Sequence, residues 1–158
     1  MTETIQLTQS ERRVIDLLTH GATIQSTADQ MSIRPKSVST YLSKMRQKAE
    51  CVGASAPVLV NTLAEHDVIT LPVTDHPAPD LSEEEQLLLE AIARESRYRG
   101  IAEKTHIHRD DVGVETDRLL RKTSARTVMH LVALAHGWRL LGPHRSTAGA
   151  PDSLQRSA

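Results

Sequence analysis

The chain has 158 residues, a net charge near −1 and an apolar fraction of 39%, enough for one ordinary domain or two very small ones and without an overall basic field that marks nucleic-acid binding. Phe is absent and the aromatics are Tyr41, Tyr98 and Trp138, so the core has to come from Leu, Val, Ile, Ala and Met. Strand-length runs of β-branched and aromatic residues are scarce, which argues against a large sheet and for an all-α fold.

In chain order, the first helix is expected over about 8–20. Thr8 and Glu11 make a capping box, Leu7 stands where a hydrophobic staple begins, and His20-Gly21 supplies a left-handed stop. A short helix follows at about 24–31. The third starts near Pro35, a residue favoured in the first turn, and runs to about Glu50. The fourth spans about 55–65, with Ser55 as N-cap and Pro57 in its first turn. Residues 66–80 read as a linker, because Pro72, Pro77 and Pro79 exclude a helix. Val68, Ile69, Leu71 and Val73 are expected to pack there as an extended strap. A second capping box, Ser82 with Glu85, follows Leu81 and opens helices at about 83–95, 98–105, 109–123 and 126–137. The tail 142–158, rich in Ser, Ala, Gly and Pro, reads as disordered.

The two capping boxes lie 74 residues apart, which raises the question of a repeat. At that offset residues 7–48 align with 81–122 without a gap. The identical pairs are Leu7/Leu81, Glu11/Glu85, Ala28/Ala102, Ile33/Ile107, Val38/Val112 and Lys48/Lys122. Val14/Leu88, Ile15/Leu89, Leu18/Ile92 and Met45/Leu119 keep the apolar pattern at helical spacing. The expected organisation is therefore two tandem four-helix units, 1–65 and 81–141, joined by a Pro-containing linker.

Charge is local. In residues 1–75 all seven basic side chains fall between Arg12 and Lys48, and a basic stripe in a neutral chain fits a small DNA-binding module. The stretch Leu7-Thr-Gln-Ser-Glu-Arg-Arg-Val-Ile-Asp-Leu-Leu-Thr-His-Gly21, continuing through Ala28, Met31, Ile33, Lys36-Ser-Val38 and Lys48, resembles the DNA-binding domain of the LuxR/GerE family. The resemblance covers about 7–65 closely and 81–141 more loosely. It implies helix-turn-helix units, double-stranded DNA as partner and transcription regulation as function. Val38, Leu42 and Met45 share the core-facing side of helix three. On the other side, the resemblance implies Ser39, Thr40 and Ser43 at base edges. Lys36, Lys44, Arg46 and Lys48 would meet phosphates, with Ser37 and Gln47 beside them. This sequence departs from the family at Ser39, where a basic residue is common, at Thr27, where an apolar one is usual, and at Arg34, where a small cap is usual.

The second unit differs in charge. Residues 34–48 hold five basic residues and no acids, whereas 108–122 hold four of each. Asp110, Asp111 and Asp117 stand where Lys36, Ser37 and Ser43 stand in the first unit, and carboxylates facing phosphates are repelled. The second unit is therefore expected to support association. Its last helix carries Val128, Leu131, Val132, Leu134, Ala135 and Trp138. Its partner is either helix four of the first unit, giving an intramolecular pseudo-dimer, or a second chain, giving a homodimer. RNA polymerase is a further candidate partner.

Enzyme readings find no support. His106-x-His108 lacks a third ligand at metal-binding spacing and reads as surface or N-cap chemistry. There is no Gly-rich phosphate loop, so no cofactor and no metal are expected. Cys51, the single cysteine, reads as a small core residue in a reducing compartment. The N-terminus lacks a signal-peptide pattern and no run reaches the roughly 20 apolar residues of a membrane helix, so a cytoplasmic protein is expected. The competing reading is a protein–protein adaptor or antagonist of another regulator or of RNA polymerase. A fragment similar to region four of a sigma factor is a third, weakened by the second unit.

Overall fold

A computed structural model describes residues 5–141; the tail expected beyond 142 lies outside them. The described residues form eight α-helices and no strand. They are α1 (Gln9–Thr19), α2 (Ile24–Met31), α3 (Pro35–Lys48), α4 (Ala56–Glu65), α5 (Glu83–Arg94), α6 (Tyr98–Thr105), α7 (Val112–Thr123) and α8 (Val128–Gly137). A single 3-10 turn, Arg109–Asp111, leads into α7. The fold is all-α and contains two four-helix units.

The helix starts follow from their caps. The Thr8 hydroxyl accepts from Glu11 N at 3.1 Å while Thr8 N donates to Glu11 Oε1 at 2.8 Å. Ser82 and Glu85 repeat this at 3.1 and 2.9 Å. Ser55 and Thr127 each cap the last helix of their unit through a hydroxyl that accepts from the N–H three residues on. α1 and α2 stand 74 residues from α5 and α6, α3 and α7 start 77 apart because the 3-10 turn takes the first turn of the third helix, and α4 and α8 stand 72 apart, so the last connection of the second unit is three residues shorter.

The inward residues of both units are fully buried: Val14, Ile15, Leu18, Val38 and Met45 in the first, Leu88, Leu89, Ile92, Val112 and Leu119 in the second. They belong to one continuous core. The join is made by α4 and α8, which pack on each other more extensively than any other pair of elements. α8 also lies against α1, and α4 against α5. Exchanging the two units turns α4–α8 into itself and α1–α8 into α5–α4. A contact set closed under exchange is the mark of a two-fold pair, here within one chain.

Two polar contacts inside the units respect the same exchange, whereas those across the join do not. Arg12 donates to Val68 O at 3.3 Å, and Gln86, its counterpart in α5, donates to Leu140 O at 2.8 Å. His136 Nε2 pairs with Asn61 Oδ1 at 2.7 Å, and Arg94 lies 3.8 Å from Glu65. Gly21, at φ 105°, faces the second unit: a Cβ there would stand 2.9 Å from Arg126 Cδ and 3.3 Å from His130 Nδ1. Both the left-handed backbone and the close approach call for glycine.

The linker follows the expectation in part. Val68 is buried and Ile69 and Leu71 are half-buried, but Val73 is 95% exposed. The chain leaves the core at Pro72, whose carbonyl lies 3.5 Å from where a Gly137 Cβ would be, so Val73 has nothing left to cover.

Candidate nucleic-acid interface

α2 and α3 are joined by the three residues 32–34, with Ser32 in the left-handed conformation at φ 59°. Two helices packed across so short a turn make a helix-turn-helix. Pro35 opens α3, and Val38, Leu42 and Met45 anchor its inner side with almost no exposure. The outer side therefore faces solvent as a rigid surface. Lys36, Ser39, Thr40, Ser43, Lys44 and Gln47 are exposed on it, while Ser37 and Arg46 are half-buried.

These residues are not equally available. The Thr40 hydroxyl donates to Lys36 O at 3.0 Å, leaving its acceptor side open. Lys44 Nζ lies 6.0 Å above the Tyr41 ring, at the limit of a cation–π contact. Arg46 Nε is buried without a hydrogen-bond partner. The Lys48 ammonium is 2.6 Å from Glu11 Oε1, and Glu11 is only 1% exposed. Burial alone would raise the Glu11 pKa, but the Lys48 ammonium and the Thr8 N–H outweigh it and hold the carboxyl below its ordinary range. Lys48 thus ties the end of α3 to the start of α1.

The same clasp recurs in the second unit: Lys122 Nζ lies 2.6 Å from Glu85 Oε1, again 37 residues away. There the Lys122 hydrogen bond is the main reason the Glu85 pKa falls below its ordinary range. Glu11/Glu85 and Lys48/Lys122 are two of the six identical pairs in the self-alignment, so the sequence held the signal for this clasp, though not the contact itself.

α6 and α7 are separated by the six residues 106–111, the last three of them in the 3-10 turn, with His106 left-handed at φ 61°. His108 Nδ1 accepts from Asp110 N at 3.2 Å, the N-cap chemistry expected of it. Asp110 and Asp111 sit in the 3-10 turn before α7, where the sequence reading places a helix. Asp117, Arg118 and Arg121 are exposed on α7, as are 52% of Val114 and 58% of Tyr98 at the start of α6. Arg118 lies 3.3 Å from Glu115.

The association residues lie elsewhere. Leu131, Val132, Leu134 and Ala135 are buried, and Val128 and Trp138 are half-buried. α8 is apolar on nearly all sides because α4, α1 and the core surround it. Of the two partners expected for α8, the structure supplies α4 of the same chain. Cys51 is half-buried against the core, and burial pushes its thiol above the ordinary pKa.

Residues 5–57 match the family described as bacterial regulatory proteins, luxR family (GerE). The match runs from the residues before α1 into the first turn of α4, so it takes in the whole helix-turn-helix of the first unit. It supports a DNA-binding transcription regulator with α3 in the luxR-family domain, and it does not extend to the second unit. No curated protein and no solved structure matches the chain. No helix among the described residues is long and apolar enough to cross a membrane.

Proposed function

We propose that this protein is a sequence-specific transcription regulator whose α3 reads the major groove and whose second unit, a degenerate copy of the first, supports association by holding that reader's frame. The observation that carries the reading is the division of α3 itself. Its inner side is locked by Val38, Leu42 and Met45, and its outer side offers hydroxyls and amines with no carboxylate. The major groove admits one such helix, with short polar side chains at base edges and cations at phosphates. Lys36 and Lys44 are the phosphate contacts best placed to act. Lys48 belongs more to the clasp with Glu11.

Association takes an internal form in this reading: the α4–α8 join does within one chain what a dimer contact does between two. RNA polymerase remains a candidate partner for the finished complex. Selection of bound sequences from a random duplex library tests the reading. A recurring sequence is expected, with an affinity that falls steeply as salt rises. Replacing Ser39, Thr40 and Ser43 with Ala should relax the sequence preference while helicity stays unchanged. A flat salt response and no recurring sequence would reject it. They would favour the adaptor reading, which rests on exposed Tyr98 and Val114 and on the balanced charge of α7.

A further inference from the structure

The second unit's outward face is left without a role once α8 is assigned to the join. Three observations bear on it. First, the helix contacts across the join are closed under exchange of the units, and that exchange carries α3 to α7, although α3 packs on its own unit more extensively than α7 does. Proteins with such a pair of readers bind DNA sites whose halves mirror that symmetry, one helical turn or a multiple apart. Second, the clasp that fixes α3 to α1 at 2.6 Å fixes α7 to α5 at the same distance. The frame of a reader is thus present in the second unit although its outward residues have changed.

Third, part of the charge lost from α7 is regained around α6. Residues 97–122 hold seven basic and five acidic residues. Arg97 and Arg99 stand at the start of α6, where Thr23 and Gln25 stand in α2. One of the acids is partly offset, Glu115 by Arg118 at 3.3 Å. The first helix of a helix-turn-helix crosses the phosphate backbone, so cations there restore the grip.

We infer that α7 is a second DNA reader with its own base preference, so that a single chain occupies an operator built from two unlike half-sites. The inference rests on α3 reading DNA. Val114 replaces Thr40 and offers a methyl surface to thymine; Asp117 replaces Ser43 and accepts from the amino group of cytosine. Both are exposed on α7. Arg97, Arg99 and Arg121 meet phosphates. The carboxylate that would be unfavourable at a phosphate is favourable at this base edge.

The test is selection of bound duplexes by the full chain, with stoichiometry measured by sedimentation. One chain per duplex is expected, with two dissimilar conserved blocks about one DNA turn apart. Asp117→Ser should cut discrimination at one position of the second block about tenfold and leave the first block intact. Arg97→Glu with Arg99→Glu should lower the log–log salt slope by about 2 at unchanged sequence preference. Circular dichroism checks that each surface variant is folded. A single block, or a second block indifferent to Asp117 and Val114, would overturn the inference and leave α3 as the only reader. Two identical blocks with two chains bound would also overturn it. Failure to select any sequence would instead sink the reading of α3 on which it rests.

Discussion

The two units share a frame and differ in what they present. Each has a capped first helix, a left-handed residue closing its second helix and a Lys–Glu clasp across 37 residues. Yet the luxR-family match stops at residue 57. Outside, α3 carries cations and hydroxyls, while the 3-10 turn and α7 carry Asp110, Asp111, Val114 and Asp117. Inside, the first unit buries Glu11 and Thr27, whereas Glu85 is partly exposed and Ile101, the counterpart of Thr27, is apolar. The frame of such a unit is set by a few anchors and caps, and its outward residues are free to change without altering the fold.

The comparison breaks most severely at the join. Because α1 packs on α8 and α4 on both α5 and α8, neither unit closes its own core. Leu131→Ala should cost about 2–5 kcal/mol and unfold both units in one transition, read by urea denaturation. A chain ending at Pro79 should lose most of its helicity by circular dichroism, not fold as a free reading domain. Independent unfolding of the halves would show that the join is superficial.

The clasps sharpen the comparison at smaller scale. Glu11→Gln should cost about 2 kcal/mol, since a charged hydrogen bond to a buried group is lost. Glu85→Gln should cost under about 1 kcal/mol, because that pair is a third or more exposed and screened by solvent. The folded pKa of Glu11 is depressed. Its contribution is therefore present above its unfolded pKa and lost as pH falls through the folded one. Stability of the parent should drop on acidification below the ordinary carboxylate value of 4.5, and drop less in Glu11→Gln. Equal pH profiles would show that the clasp is not coupled to folding.

The smallest effect is expected at Thr27, whose buried hydroxyl has no hydrogen-bond partner. Thr27→Val removes that unsatisfied group at nearly constant volume and should add about 1 kcal/mol. A loss of stability in thermal unfolding would mean that the hydroxyl is paired in solution.

Much of this frame was legible in the sequence. Thr8/Glu11 and Ser82/Glu85 announce helix starts because a capping box satisfies backbone donors locally. Pro35 and the Val38, Leu42, Met45 spacing orient α3 without any long-range information. What was not legible depends on distant partners. The apolar surface of α8 suits α4 of the same chain and α8 of another equally well, and only the packed chain decides. Lys48 reads as a phosphate contact because a sequence shows its charge but not the Glu11 carboxylate 2.6 Å away. The 3-10 turn at Arg109–Asp111 escapes notice because Asp is at home at a helix start whether or not the turn is regular.

The central claim is that α3 is the principal DNA reader, and charge reversal on its outer face tests it most directly. The measurement is the affinity of Lys36→Glu/Lys44→Glu for the duplex selected by the parent, taken across a salt series. Both side chains are exposed and make no contact that folding requires, so the circular dichroism spectrum should not change. Affinity should fall at least 100-fold at low salt, and the log–log salt slope should decrease by about 2. Binding equal to that of the parent, with the same salt slope, would contradict the claim.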